Sequence, residues 1–389
     1  MRFDERMPRI SQSSSFEFVG AAYGDALHQK RVESLAAATR GALGCARFGV
    51  AAIGRALALA NDLDPKHAIK QVDRLLSNKG LDPWMLAAQW VPFIIGARKE
   101  VVVALDWTDF DADAQTTITA HLVEKHNRTT PLIWKTVKKS ELKGARNDAE
   151  DEVLQHLHDT LPEGVHCTIL ADRGFGDAKL YTFLEDLGFD YVIRFRGVVT
   201  VESAQGASHP AAEWLLPGGR ARVLRGARVT HKRVEVGGFV CVHAKKMKDP
   251  WFLATSLRTS TAASIVKLYG RRFSIEETFR DLKDPRFGRG LRELRIASPE
   301  RRDRILLIAA LAISLLTLLG MASEQCGYDK RLRANTSSVR THSLFFQGTY
   351  YFAALPNMRD ERAAPLLDAF EKILRSHAPL AHVFQMFRI

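Results

Sequence analysis

The sequence predicts an α/β protein: a mixed sheet flanked by helices, interrupted by a β-rich insertion and preceded by an all-helical N-terminal domain. Three observations predict it. Up to Arg98 the apolar residues recur at helical spacing with almost no strand signal. From Lys99 continuous apolar runs take over, first as a meander and then alternating with helical segments. Residues 198–257 break that alternation with a stretch rich in Val, Gly and Arg. With 389 residues, 46% of them hydrophobic, the chain can bury one large core or two to three domains. The expected divisions are 1–98, 99–322 with the insertion inside it, and 323–389.

In the first division two helix starts are well marked, Asp64-Pro65 and Asp82-Pro83, each a capping residue followed by a proline suited to the first helical position. The helix opened by Asp64 places Ile69, Val72, Leu75 and Leu76 on one side and Lys66, Lys70 and Arg74 on another. That basic face suits either solvent or DNA phosphates. The meander then reads as "EVVVALD", "TTITAHLV" and "TPLIWKTV", followed by a helix "DAEDEVLQHLHDTL", a strand "VHCTILAD", a helix "DAKLYTFLEDLG" and a strand "DYVIRF". The insertion includes "RARVLRGARVTHKRVEVGGFVCVHA". The run "ILLIAALAISLLTLLGMA" is long enough for a membrane span, but its Ala, Ser, Thr and Gly content and flanking arginines favour a buried core helix. After Ser323 the pattern is mixed, with one helix expected at "AAPLLDAFEKILRS".

Lys and Arg total 56 against 44 Asp and Glu, a formal net charge of +12 that favours an anionic partner. Cys45, Cys167, Cys241 and Cys326 have no CxxC spacing and read as reduced cytoplasmic thiols.

Two apolar strands reach an aspartate, Asp106 and Asp172. A buried carboxylate is costly unless paired or metal-bound. In "KLYGRRFSIEETFRDLKD", read as one helix, Tyr269, Arg272, Glu276 and Lys283 share a stripe about 60° wide beside the apolar Leu268, Ile275, Phe279 and Leu282. They should sit at the rim of a buried face. The i,i+4 pairs in this segment are equally those of a solvated helix. If the two strands are neighbours and this helix crosses their ends, Glu276 joins the aspartates. Three carboxylates suit Mg²⁺, and two such ions clamp the attacking and leaving oxygens of a phosphoryl displacement.

Asp106, Asp172 and Glu276 in this order, with Y-x2-R-x3-E-x6-K around the glutamate, resemble the DDE transposases of bacterial insertion sequences that carry the Tyr-Arg-Glu-Lys signature, insertion sequence family four. The similarity spans roughly Lys66 to Ala322 and includes "DRGF" and "YVIR". It implies a ribonuclease H-like core holding two Mg²⁺ ions, with Mn²⁺ as a substitute. It also implies an N-terminal domain that binds transposon ends, and cut-and-paste chemistry by a homodimer bound to terminal inverted repeats and target DNA. A cytoplasmic, nucleoid-associated bacterial protein with no membrane partner is expected. Tyr269, Arg272 and Lys283 would hold phosphates. Trp251 in "PWFLATSL" matches a tryptophan that stacks on a flipped base, or is a core residue. Arg173 and Arg194 match DNA-contacting arginines, or form salt bridges in the core. A nuclease that cuts without joining and a silent DNA-binding repressor remain as alternatives.

Overall fold

Aspartate caps set the first part of the fold. Helices α1 (Ser14–Tyr23), α2 (Gln29–Gly44), α3 (Val50–Asn61), α4 (Pro65–Leu76) and α5 (Pro83–Ile95) follow one another in the computed structural model, which describes residues 14–284 and 288–376. The ends of the expected first and last divisions, 1–13 and 377–389, lie outside the described residues. The Asp64 carboxylate accepts from the backbone N–H of Lys66 at 2.8 Å and of His67 at 3.1 Å, and Asp82 accepts from that of Trp84 at 3.0 Å. In α4, Val72, Leu75 and Leu76 turn inward while Lys66, Lys70 and Arg74 are exposed.

The meander forms as β1 (Glu100–Phe110), β2 (Gln115–Val123) and β3 (Thr129–Lys138), and α6 (Arg146–Thr160), β4 (His166–Ala171), α7 (Ala178–Asp186) and β5 (Asp190–Arg194) alternate after it. Strands β4 and β5 run parallel to β1. The stretch from 198 to 257 holds β6 (Thr200–Glu202), β7 (Ser208–Pro210), β8 (Arg222–Arg225), β9 (Arg228–Val229), β10 (Val234–Glu235), β11 (Gly238–Val242) and β12 (Trp251–Thr255). Its strands are shared between two sheets. Strands β8, β11 and β12 extend the main sheet to the order β3-β2-β1-β4-β5-β12-β11-β8, while β6, β7, β9 and β10 make a separate small sheet. Strand β12 covers the otherwise open edge of β5, with Leu253 opposite Arg194.

Helices α8 (Ala262–Gly270), α9 (Ser274–Lys283), α10 (Pro299–Gln325), α11 (Leu344–Ala354) and α12 (Asp360–Ser376) complete the fold. The single helix expected across 267–284 is broken by a turn of 3-10 helix at Arg271–Phe273. Alternation along the strands separates two faces. Val101, Val103 and Leu105 of β1 and Ile169 and Ala171 of β4 join the main core, whereas Val102, Ala104 and Leu170 pack toward Ile265, Tyr269 and Ile275 of α8 and α9.

Helix α10 is the one helix among the described residues long and apolar enough to cross a membrane, and most of it is buried against its neighbours. Gly320 on α10 and Gly348 on α11 let the two backbones touch: a Cβ at Gly348 would collide with the Leu316 carbonyl oxygen, so any larger residue there forces the helices apart. At its start α10 is tied to the rest of the chain by arginines. Arg302, fully buried, donates to Gln115 Oε1 at 2.6 Å and lies over the Phe110 ring, and Arg304 donates to the Leu81 carbonyl at 2.7 Å.

Beside them Asp303 accepts from the Thr136 backbone N–H at 3.1 Å and from its hydroxyl at 2.5 Å, yet burial pushes its carboxyl up to about 7. In the unfolded chain this group loses its proton near pH 4. Between about pH 4 and 7 the folded state therefore binds more protons. The group's contribution to stability should fall across that window, by at most about 1.4 kcal/mol per pH unit, and level off above it. Urea unfolding of Asp303→Asn beside the unchanged protein should show the asparagine variant gaining relative stability as pH rises from 4 to 7. A difference that stays constant with pH contradicts this.

Candidate active site

Alternation decides where Asp106 points. It follows Val102 and Ala104 onto the sheet face covered by α8 and α9. Strand β1 does not end there, as the sequence had implied, but continues to Phe110. Its parallel pairing with β4 stops at Leu105 opposite Ala171, and beyond that Asp106 pairs only with Thr119 of β2. Asp172 is the first residue after β4. The two aspartates are thus brought together where two neighbouring parallel strands part, the place where open α/β sheets hold ligands.

Asp172 also shapes its own turn, as one sequence reading allowed. Its Oδ1 accepts from the Gly174 N–H at 2.7 Å, and a Cβ on Gly174 would crowd that oxygen at 3.0 Å. Phe175 is buried behind it, and Asp177 caps α7. The two aspartates open on a cleft of about 500 Å³ whose walls include Trp107, Lys139, Arg146 and Phe175.

Helix α9 brings the third carboxylate. Ile275 packs on Ala104, which sets the next residue, Glu276, beside Asp106. Arg272 stands between them: its Nη1 donates to Asp106 Oδ2 at 3.2 Å and its Nη2 to Glu276 Oε1. Burial pushes the Asp106 carboxyl up to about 6; Arg272 opposes the shift, while Asp172 and Glu276 reinforce it. The three acids are close enough to repel one another. Among the described residues, however, no three Asp, Glu, His or Cys side chains are gathered tightly enough to hold a metal ion, and the Glu276 carboxylate is paired with Arg272. Asp106 thus lies near both Asp172 and Glu276, but the three side chains form no ready-made cluster. The donor set, carboxylate oxygens without histidine or thiolate, fits a hard divalent cation, which would relieve their mutual repulsion.

Tyr269 and Arg272 do not lie at the expected rim, whereas Lys283 does. Tyr269, on α8, is fully buried against Leu170, Val192 and Leu253, and Arg272, in the 3-10 turn, is nearly so, its guanidinium compensated by two carboxylates. Tyr269 Oη and Arg272 Nε are buried, the phenol lying beside the guanidinium. Glu276 is exposed. Lys283 is half-buried and donates to the Asp109 carbonyl at 2.6 Å and to Thr108 Oγ1 at 3.0 Å; burial lowers its ammonium pKa to about 8.

Trp251, half-buried, meets the Tyr269 ring edge-on at 4.9 Å and stacks on Phe273 at 5.6 Å. Arg194 donates to the Pro250 carbonyl at 3.0 Å, so it anchors the residue before Trp251 rather than forming a salt bridge. Arg173 is exposed beside Asp172. Lys66, Lys70 and Arg74 lie on α4, in the N-terminal helices rather than in the cleft. Sequence reasoning missed Trp107, Lys139, Glu150 and Arg146. The adjacency of Trp107 to Asp106, and the i,i+4 pair Arg146 and Glu150 at the start of α6, were the available signals.

Residues 97–315, more than half of the chain, match the family described as the transposase DDE domain. No curated protein matches the chain.

Proposed function

Because this chain belongs to the transposase DDE domain family, whose members generally use divalent metal ions, we propose that it is an insertion-sequence transposase of the Tyr-Arg-Glu-Lys type that cuts and joins DNA. The observation that carries this reading is the meeting of Asp106 and Asp172 where the parallel pairing of β1 and β4 stops, with Glu276 delivered to the same place by α9. Those three residues would hold magnesium, for which manganese substitutes. The bound ions supply activation of the attacking oxygen and stabilisation of the leaving one.

The chain's own residues position the DNA. Tyr269 and Arg272, buried side by side in this structure, contact phosphate oxygens once DNA binding turns them toward the cleft. Trp251 offers an indole against which an unstacked base can lie, and Arg194 fixes the loop that presents it. Arg173, next to Asp172, and Lys283, held at Thr108 and Asp109, bring positive charge to the strand. The exposed Lys66, Lys70 and Arg74 face of α4 suits phosphates at the element's ends, which makes the region up to residue 98 the end-binding part. Residues 99–322 then form the catalytic part, and the region from 323 onward takes part in pairing two subunits.

The chemistry is hydrolysis of one phosphodiester at each end, which frees a 3′ hydroxyl. That hydroxyl then displaces a phosphodiester of target DNA, one P–O bond forming as another breaks. Incubation of labelled element ends with an unrelated plasmid and Mg²⁺ tests this. The proposal expects label covalently joined to the plasmid. Cutting without joining assigns the chain to the nucleases instead, and specific binding with neither assigns it to repressors.

A further inference from the structure

The cleft beside Asp106 and Asp172 contains a second built arrangement that the three carboxylates do not use. Glu150, on α6, is buried. A buried carboxylate needs partners, and this one has two. The Trp107 indole Nε1 donates to Glu150 Oε1 at 2.8 Å, and Arg146 Nε donates to the same oxygen at 3.2 Å. The Arg146 guanidinium lies over the Trp107 ring, 4.9 Å from its centroid. Trp107 is held at its other end as well, since its backbone N–H donates to Asp106 Oδ1 at 2.9 Å. A continuous set of contacts thus runs from the Asp106 carboxylate through Trp107 and Glu150 to Arg146.

This differs from an ordinary helix-surface ion pair in three ways. The acid is buried, the arginine plane is fixed by an aromatic face, and only Nε is engaged. The two terminal nitrogens of Arg146 make no hydrogen bond among the described residues, and its side chain is half exposed toward the cleft. A guanidinium held along one edge with its outer nitrogens free is preorganised for a bidentate anion. Lys139 on the same cleft is already taken, by Asp109 at 3.3 Å and Asp111 at 2.6 Å. Arg146 is therefore the better-placed cation here to receive a strand that must approach two aspartates.

Resting on the transposase reading, we propose that Arg146, seated on Trp107 and Glu150, binds a DNA backbone phosphate next to the one being cut and so sets the strand's position relative to Asp106. The test is equilibrium binding in EDTA across a range of salt, using a labelled duplex that carries the inverted repeat flanking the gene. Unchanged protein, Arg146→Ala and Arg146→Lys are compared, each with a thermal melt.

The expected result is a melt lowered only slightly in Arg146→Ala, because the Trp107 indole still holds Glu150, with affinity lower by roughly tenfold and a salt slope shallower by about 0.9. Arg146→Lys should recover the slope but only part of the affinity. Unaltered affinity and slope in Arg146→Ala, with the unchanged protein binding normally, overturns the phosphate role alone. A lowered melt that accounts for the lost affinity, with no recovery by lysine, overturns it in favour of a structural role. Failure of the unchanged protein to bind the duplex overturns the transposase reading and this inference with it.

Discussion

Replacing Asp106, Asp172 or Glu276 by its amide is expected to reduce strand cleavage by roughly 10³-fold or more while leaving affinity for element-end DNA nearly unchanged. The amide keeps the shape of each side chain. Its oxygen in Asp106→Asn would still accept from the Trp107 N–H, and in Asp172→Asn from the Gly174 N–H, so the local turns should persist. What is lost is the negative charge that a divalent cation requires. End binding depends on other surfaces, among them the exposed basic face of α4. Asp172→Asn removes a charge that repels Asp106 and should melt no lower than the unchanged protein, whereas Asp106→Asn and Glu276→Gln each take a counter-charge from the buried Arg272 and should melt somewhat lower. Cleavage and binding assays run side by side decide the matter. Any single variant that cleaves at near the original rate removes that residue from the catalytic set.

Arg272→Ala is expected to have the second largest effect, and to show it without DNA. Arg272 is the positive group bridging Asp106 and Glu276, and only about 6% of its side chain is exposed. Breaking a buried ion pair by removing one partner costs about 3 to 5 kcal/mol. Glu276 remains about half exposed, so solvent screens its share, and roughly 2 kcal/mol with a melting temperature lower by about 5 °C is the expected loss. The Asp106 carboxyl should rise further above 6, because the cation opposing that rise is gone. A divalent ion entering the site no longer competes with the guanidinium for Asp106 and Glu276. Mn²⁺ should therefore raise the melting temperature of Arg272→Ala by more than it raises that of the unchanged protein. Arg272→Lys keeps the charge but cannot span both acids, so it should fall between them. An identical Mn²⁺ shift in all three would mean that Arg272 and the cation do not share ligands.

Much of this arrangement was legible because local chemistry announces it. Asp64-Pro65 and Asp82-Pro83 mark helix starts through caps that need only the next few residues. Asp106 and Asp172 stood out because a carboxylate at the end of an apolar run has few inexpensive explanations. Other features are set by partners distant in sequence. Nothing near Trp251 says that β12 will cover the edge of β5, a pairing decided by the register of Leu253 against Arg194. The burial of Arg272 follows from the 3-10 turn and from Asp106, 166 positions away in the chain. A helical wheel drawn as one continuous helix puts that arginine at a rim. Nothing in the sequence around Glu150 says that it will be buried against the Trp107 indole, 43 positions away. Helix α11 escaped notice because its mixed apolar and aromatic composition gives a weak helical stripe, while Gly348 is there for contact with α10.

The central claim is that Asp106, Asp172 and Glu276 are ligands of one metal centre, and it can be tested without any DNA substrate. Protein loaded with Fe²⁺ and treated with ascorbate and peroxide releases hydroxyl radicals at the bound ion, which cut the backbone nearby. Mass spectrometry of the fragments should place the cuts beside Asp106, Asp172 and Glu276 together. Excess Mg²⁺ or Mn²⁺ should suppress all of them, and Asp106→Asn should abolish all three at once. Cuts confined to one of these segments, or unaffected by Asp106→Asn, would contradict a shared metal centre.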